Sequence, residues 1–281
     1  MKYPNRTTAA VLAAGAVLTC SAALVAGQAG AQEKQMTVAM ITHAQPGDTF
    51  WDIIRKGAEA AAKKDNIKLI YLADPTATKE AQLISNVVEQ HVDGIALTLA
   101  FPDAEASAVK AAQRAGSPIV GFNAGVDQWK SQGLLGYAGQ DETVAGKAVG
   151  EELNKEGAKN VVCLDQQQGA VQLEARCNYV VTLGAAFAPV VLEAVTASGS
   201  KAEVGTFDLS PVAIDLIANG KVQWAVDQQP YVEGYEAVDM LRLYVTNGDT
   251  VGGGGPVLTG PFFVTKDNAA AVAKYAKAGT R

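Results

Sequence analysis

The sequence is poor in the residues that most often perform catalysis or bind metal ions. It has two histidines, His43 and His91, and three cysteines in 281 residues. His91 ends a predicted helix, where a surface position is expected, and His43 follows a predicted strand, where it would line a cleft. Neither histidine has a cysteine or carboxylate at the spacing of a metal site. We therefore expect no metal centre and no cofactor.

Signatures of common catalytic and nucleotide-binding sites are also missing. There is no GxSxG elbow and no GxGxxG after a predicted strand, and Gly146-Lys147 is followed by Ala148, which departs from a Walker motif. The glycines at 252 to 255 precede no helix, so they predict a loop and not a phosphate cradle. Asp48 and Asp208 keep a glycosidase as one alternative, but no sequence feature predicts a raised carboxyl pKa. The pattern favours a protein that is not an enzyme.

Basic residues are fewer than acidic ones. Lys and Arg number 23 and Asp and Glu number 29, which gives a formal net charge of −6. An acidic surface without basic clusters argues against nucleic acid and anionic membranes as partners.

The first residues have the three parts of a secretory signal. A basic start, an apolar run and a small-residue cleavage motif occur at Lys2 and Arg6, Thr8–Val25 and Ala29-Gly30-Ala31. They predict a signal peptide over residues 1–31 and a periplasmic or extracellular protein; an uncleaved membrane anchor is the alternative. A faint lipoprotein box at Val17–Cys20 adds lipid anchoring at Cys20 as another. In an oxidising compartment, Cys163 and Cys177 either pair or remain buried thiols.

Apolar strands and amphipathic helices alternate from Met36 onward. Strands are predicted at Met36–Thr42, Ile67–Leu72, Gly94–Leu99 and Ile119–Phe122, and helices at Phe50–Asp65, Thr78–His91 and Asp103–Ala115. Parallel strands joined by helices form a doubly wound α/β sheet. After Gly139–Glu142 the same pattern begins again, which predicts a second lobe of the same design.

The second half of the chain has shorter connections. Predicted strands follow at Asn160–Leu164, Val180–Leu183, Glu203–Phe207, Val222–Val226 and near Val257–Thr259, and a helix is predicted over Thr265–Gly279. Only 14 residues separate Leu164 from Tyr179, which is near the minimum for a parallel crossover.

Polar and aromatic residues recur at or near the predicted strand ends. They are Asp48, Phe50, Trp51, Thr98, Asn123, Gln140, Gln167, Arg176, Asp208 and Gln228. Planar polar side chains pair with sugar hydroxyls as donors and acceptors, and aromatic rings stack on the C–H faces of a sugar. Ligands bind at the carboxyl ends of open parallel sheets. Each residue also has an ordinary structural role, such as a helix cap for Asp208, but their joint occurrence favours a sugar site.

Several motifs together carry a resemblance to a known family. They are Pro46–Trp51, Val92–Ile95, Pro118–Asn123, Gly139–Glu142, Glu174–Asn178, Val204–Asp208 and Gln228–Pro230. From about Thr37 to Asn268, the chain resembles the ribose/galactose-type periplasmic sugar-binding proteins of ABC importers. The resemblance implies ligand roles for the ten residues named above, with a small sugar or polyol and an ABC permease as partners.

The resemblance also implies the type I periplasmic binding protein fold, in which hinge crossings join two doubly wound parallel-sheet lobes. The N-terminal lobe would comprise residues 32–139 and 229–259, and the C-terminal lobe residues 140–228 and 260–281. The crossings would lie near Gly139-Gln140, Gln228-Gln229 and Gly260-Pro261. A receptor that reports a bound sugar or autoinducer to a signalling partner is the alternative role.

Two departures from the family pattern matter. Asn123-Ala124 replaces the aspartate and arginine of ribose binders, so we expect a ligand other than ribose. Asn178 leads directly into Tyr179, where the family has a further repeat of about 30 residues or more. In a 2-1-3-4-5 sheet the missing strand is an edge strand, so the others can still pair. We expect exposed apolar surface and a destabilised second lobe.

Overall fold

The structure is a computed structural model that describes residues 35–164 and 177–281. The first part of the chain forms β1 (Thr37–Thr42), α1 (Thr49–Lys64), β2 (Lys68–Ala73), α2 (Ala77–Glu89), β3 (Gly94–Leu97), α3 (Pro102–Arg114), β4 (Ile119–Phe122) and β5 (Tyr137–Gly139). The middle part forms α4 (Glu142–Lys155), β6 (Val161–Leu164), β7 (Tyr179–Thr182), α5 (Ala188–Ala197), β8 (Glu203–Phe207), α6 (Pro211–Ala218) and β9 (Trp224–Asp227). The last part forms α7 (Pro230–Asn247), β10 (Val257–Leu258), β11 (Phe262–Thr265) and α8 (Ala269–Ala278).

The first sheet has the strand order β10-β5-β4-β3-β1-β2, and its strands are parallel. Strand β1 is apolar throughout because both faces are covered. Val38 and Met40 pack in the core with α1 and α7, whereas Ala39 and Ile41 pack in the core with α2 and α3. This arrangement confirms the predicted doubly wound α/β fold.

Helices α1 and α7 approach each other closely at two glycines. A Cβ atom at Gly57 would lie 1.9 Å from the backbone oxygen of Tyr231, and one at Gly234 would lie 1.9 Å from that of Ile54. The pair of glycines thus lets two backbones touch. This contact places the first turn of α1, which carries Phe50 and Trp51, relative to the start of α7.

The second sheet has the order β11-β9-β8-β7-β6, with parallel pairing from β6 to β9. Strand β11, which the sequence did not predict, is antiparallel to β9, and the predicted terminal helix begins at Ala269 and not at Thr265. Phe263 and Val264 face the two opposite cores of this lobe, which is the period of a strand. Asn268 then ends the strand by bonding the backbone of Thr265 (2.8 Å) and Phe263 (2.9 Å).

Strand β6 lies at the outer edge of the second sheet, as expected if the missing strand is an edge strand. Val161 and Cys163 pair in register with Tyr179 and Val181, so they share the sheet face that packs on α4. Val161 is 39% exposed and Cys163 is also exposed. Cys163 and Cys177 are free thiols.

The chain passes between the two sheets three times. The passages lie between β5 and α4, between β9 and α7, and between β10 and β11. Within the described ranges, no helix has the length and apolar character needed to cross a bilayer.

We expect the second sheet to open more readily than the first, because its edge strand exposes apolar side chains and backbone to water. Amides of β6 and β7 should exchange with deuterium at lower protection than those of β1 and β3. A thermal scan should show a first transition that hydrogen exchange assigns to the second sheet. Equal protection in both sheets and one cooperative transition would contradict this expectation.

We also expect Gly57→Ala to destabilise the protein by about 1–3 kcal/mol, because the new Cβ overlaps the α7 backbone. The matched control is Gly146→Ala in α4, where a Cβ would meet nothing within 4 Å. That change should add about 0.5–1 kcal/mol of stability through helix propensity. Urea denaturation of both variants measures the difference, and similar effects of the two would show that the α1–α7 contact is not tight.

Candidate functional site

A cavity of about 670 Å³ lies where the carboxyl ends of the two sheets meet. The first sheet and its loops contribute polar and aromatic side chains, which include His43, Asp48, Phe50, Trp51, Phe101 and Asn123. The second sheet and the passages contribute Gln140, Glu142, Leu183, Phe187, Asp208 and Gln228. Both sheets therefore form the walls of one site.

Seven of the ten predicted ligand residues line this cavity: Asp48, Phe50, Trp51, Asn123, Gln140, Asp208 and Gln228. Thr98 is fully buried and lies behind the wall, in contact with His43. Gln167 and Arg176 lie outside the described residues. Seven of the predicted side chains therefore lie at the cavity. The ligand role of all ten remains a prediction.

The N-terminus of α1 forms an aromatic corner of the cavity. Asp48 caps the helix by accepting a hydrogen bond from the Phe50 backbone N–H at 3.0 Å. The Phe50 and Trp51 rings are perpendicular, with centroids 5.4 Å apart, and Trp51 also meets His43 edge-on at 4.7 Å. These contacts hold a carboxylate beside flat apolar faces.

Asn123 and Asp208 occupy matching positions in the two sheets. Each comes directly after a strand that ends in phenylalanine, and each has a positive φ, 61° for Asn123 and 64° for Asp208. Asn and Asp adopt this left-handed conformation more easily than other residues with a side chain. Both residues can therefore form this backbone turn without the strain that most side chains would cause. Both side chains line the cavity.

Gln228 connects the two sheets through its side chain. Its amide donates to Asp208 Oδ1 at 2.7 Å, and its oxygen accepts from the Asn123 amide at 3.4 Å. Asn123 also donates to Glu233 Oε2 at 3.0 Å. These four side chains form one hydrogen-bonded row between the ends of β4 and β8.

Burial changes the acidity of this row. It raises the pKa of Asp208 to about 7 and that of Glu233 to about 8, and the hydrogen bonds from Gln228 and Asn123 only partly oppose the shift. The sequence offered no reason to expect raised carboxyl pKa values, since burial is a property of the tertiary structure. The shift brings the pKa of Asp208 close to neutral pH.

Several cavity residues were absent from the predicted ligand set, among them His43, which the sequence placed at a cleft without a ligand role, and Phe101, Glu142 and Phe187. His43 and Glu142 follow strands β1 and β5 closely, so the strand-end rule that selected the others also applies to them. Phe101 and Phe187 lie in loops after β3 and β7, where the sequence has no periodic pattern to mark them.

The described part of the wall is acidic. Among the described residues, the lining contains the carboxyl groups of Asp48, Glu142 and Asp208 and neither Lys nor Arg. These groups repel an anion when they are charged. Hydroxyl groups, in contrast, can donate hydrogen bonds to each carboxylate.

A buried polar network lies behind the cavity wall. The Thr98 hydroxyl donates to Glu80 Oε1 at 2.8 Å and accepts from the His43 backbone N–H at 3.1 Å. Glu105 accepts from the Phe101 backbone N–H at 3.2 Å, and Glu80 and Glu105 are both fully buried. Burial and the neighbouring Glu105 raise the pKa of Glu80 to about 9, and burial raises that of Glu105 to about 7.

Comparison with known proteins identifies the family. The sequence profile of the periplasmic binding protein domain matches residues 38–181 and 165–249, which is most of the chain. The chain belongs to this family. Its relatives are of the ribose/galactose type, as the sequence motifs predict. The type I two-lobe fold agrees with this assignment.

Three relatives show the range of similarity. A crystal structure of a carbohydrate transporter from Acidothermus cellulolyticus 11B, in complex with myo-inositol, is 51% identical, with 88% of this chain and 100% of that chain covered and a TM-score of 0.84. An ABC transporter solute binding protein from Burkholderia graminis, in complex with D-arabinose, is 24% identical over 83% and 96% of the two chains, with a TM-score of 0.71. The second similarity shows the fold alone.

The ABC transporter periplasmic-binding protein YphF of Escherichia coli K12 is 28% identical over 116 residues, which are 38% of this chain. The match spans 35% of the length of that protein. This partial match does not show which substrate or partner the present chain binds.

We expect the free energy of unfolding to fall by at least about 1 kcal/mol as the pH rises from about 5 to about 9. The folded pKa values of Glu80 and Glu105 lie above the unfolded value near 4.5, so the folded state keeps protons that the unfolded chain releases. Stability from this effect is complete below pH 4.5 and is lost as the pH passes through 7 and 9. Urea denaturation at several pH values measures the trend.

The control for this prediction is Glu80→Gln. Its amide keeps one acceptor for Thr98 and one donor for Glu105 but has no proton to lose in this range. The variant should therefore lose less stability than the wild type between pH 5 and pH 9. Identical pH profiles for the two proteins would show that the Glu80–Glu105 pair is not the source.

Proposed function

We propose that the protein binds a neutral monosaccharide or cyclic polyol in the cavity between its two sheets. The observation that carries this proposal is the wall itself, where carboxylates, carboxamides and aromatic rings converge from both sheets. The 51% identical relative in complex with myo-inositol supports it. We therefore take myo-inositol as the first compound to test.

The chemistry of the wall fits such a ligand. A cavity of about 670 Å³ is in the usual range for small-molecule sites, roughly 300–1,000 Å³. A buried hydroxyl without a partner costs roughly 1–3 kcal/mol, so a polyol needs many acceptors and donors around it. Asp48, Asp208 and Glu142 accept, Asn123 and Gln228 both donate and accept, and Phe50 and Trp51 offer ring faces.

The missing repeat leaves the described part of this wall intact in our proposal. The second-lobe side chains at the cavity follow β7, β8 and β9, and none of the described lining residues belongs to β6. The missing repeat would extend the sheet beyond β6, which is its outer strand. A destabilised edge and a working ligand wall are therefore compatible.

We further propose that the lobes predicted from the sequence, residues 32–139 with 229–259 and residues 140–228 with 260–281, close over the ligand. The three passages are the hinges, and the ligand favours the closed state through contacts with both lobes. Cleavage of residues 1–31 would place the protein in the periplasm or outside the cell. There it would deliver its ligand to an ABC permease, or alternatively report it to a signalling partner.

We expect Asp208→Asn to weaken binding of myo-inositol roughly 10- to 100-fold, since a charge-assisted hydrogen bond contributes about 1.5–3 kcal/mol. Asp215→Asn, on the exposed face of α6 in the same lobe, is the matched control and should bind as the wild type does. Isothermal titration calorimetry with myo-inositol, D-galactose, D-allose and D-ribose measures affinity and selectivity.

Two results would contradict the proposed function. One is the absence of heat and of thermal stabilisation with every sugar and polyol tested. The other is turnover of a chromogenic glycoside that is lost in Asp48→Asn and Asp208→Asn, which would favour a glycosidase because the raised pKa of Asp208 suits a general acid.

A further inference from the structure

We infer that His43 is a ligand residue whose Nε2 accepts a hydrogen bond from a ligand hydroxyl, and that Thr98, Glu80 and Glu105 are positioning residues that hold it in this form. The ligand role rests on the proposed function. The form of the ring does not, because the buried network alone determines it.

The position of the ring carries the first step. His43 follows β1 directly and lines the cavity. Its Nδ1 lies 2.9 Å from the Thr98 hydroxyl, on the buried side. Within the described residues, Nε2 has no hydrogen-bond partner and is not among the enclosed polar atoms. The ring therefore presents Nε2 on its open side, which is the cavity side.

The hydrogen bonds of the Thr98 hydroxyl determine which nitrogen of His43 carries the ring proton. A hydroxyl has one proton to donate and two lone pairs to accept. Thr98 uses its proton for Glu80 Oε1 at 2.8 Å. Its two lone pairs then accept from the His43 backbone N–H at 3.1 Å and from His43 Nδ1. Nδ1 must carry the ring proton, so the neutral ring has a bare Nε2.

The carboxyl pair explains why the Thr98 proton points toward Glu80. Glu80 and Glu105 are fully buried and raise each other's cost of carrying a charge, and the Oε2 atom of each has no other hydrogen-bond partner among the described residues. Two adjacent buried carboxylates are not both charged, so we infer that the pair holds a proton between its two Oε2 atoms. Glu105 already accepts the Phe101 N–H, which favours its charged form. The proton therefore resides on Glu80, on the side toward Glu105, and Glu80 Oε1 is left as an acceptor for Thr98.

The His43 ring is neutral at pH 7. Burial lowers the pKa of His43 to about 4, and the ring lies edge-on to Trp51 and Phe101. At neutral pH it has no second N–H to offer. The ligand group beside it must be a donor, so a hydroxyl is accepted and an ether or a carbonyl oxygen at that position is rejected.

The chain suits a direct test because it contains only two histidines. In a protein labelled with ¹⁵N-histidine, His43→Asn and His91→Asn assign both rings. We expect the ligand-free spectrum at pH 7 to show His43 protonated at Nδ1 and not at Nε2. Thr98→Val should shift His43 toward the mixed tautomers expected for the exposed His91, whereas Thr98→Ser and Glu80→Gln should keep the Nδ1–H form.

A ring protonated at Nε2 in the wild type would overturn the inference. So would a Thr98→Val variant that keeps the wild-type tautomer, because Thr98 would then not determine it. A merely structural role for Thr98 would change thermal stability without changing the nitrogen shifts.

Binding of myo-inositol tests the ligand role. His43→Asn keeps a polar atom near Thr98 but removes the Nε2 position, so affinity should fall roughly 10- to 100-fold. His43→Gln reaches that position with an acceptor oxygen and should recover part of the loss. Among mono-O-methyl inositols, the isomer methylated on the hydroxyl that faces Nε2 should bind the wild type poorly. Its affinity should not fall further in His43→Asn.

The two proposals fail in different ways. If the wild type binds inositol and His43→Asn binds it equally well, the ligand role of His43 is wrong and the proposed function stands. If the wild type binds no polyol or sugar while His43 shows the Nδ1–H form, the proposed function and the ligand role fail together. His91→Asn should match the wild type in every binding measurement.

Discussion

The hydrogen bonds of one glutamine side chain define the relation between the two sheets at the site. Gln228 donates to Asp208, at the end of β8, and accepts from Asn123, at the end of β4. The three residues directly follow strands β4, β8 and β9 of the two sheets, so the row exists only when the two carboxyl ends face each other. Asp227 at the end of β9 adds to this constraint, since it accepts from the Gln229 backbone at 2.8 Å and from Arg281 at 2.6 Å.

The same row explains the electrostatic character of the cavity. Where the strand ends converge, Glu233 is buried and Asp208 is half-buried, and the loss of water disfavours their charged forms. A polyol would supply hydroxyl donors to these groups and relieve part of that cost. The network behind His43 follows the same logic one layer deeper, where Glu80 and Glu105 hold a proton between them and thereby orient Thr98. The carboxyl groups of both networks therefore order the hydrogen bonds of the wall.

Much of the architecture was predictable because both sheets have strong local signals. Continuous apolar runs such as Val38–Ile41 mark strands covered on both faces, and seven of the ten predicted site residues lie at the cavity. Strand β11 was missed because four residues after a proline carry little periodicity. Phe101 and Phe187 were missed because their loops reach the cavity only through the packing of the elements around them. Thr98 was selected by the strand-end rule, but it lies one layer behind the wall.

The sequence alone determined the succession of strands and helices apart from β11, the family and the residue types available at each strand end, since these depend on local periodicity and on motifs. Only the tertiary structure decided which strand ends meet, which carboxyl groups lose water, and which ring nitrogen of His43 is buried. These properties arise from contacts between residues far apart in the chain, such as Asn123 with Gln228 and Thr98 with Glu80. Their hydrogen bonds and burial have no counterpart in a local sequence pattern.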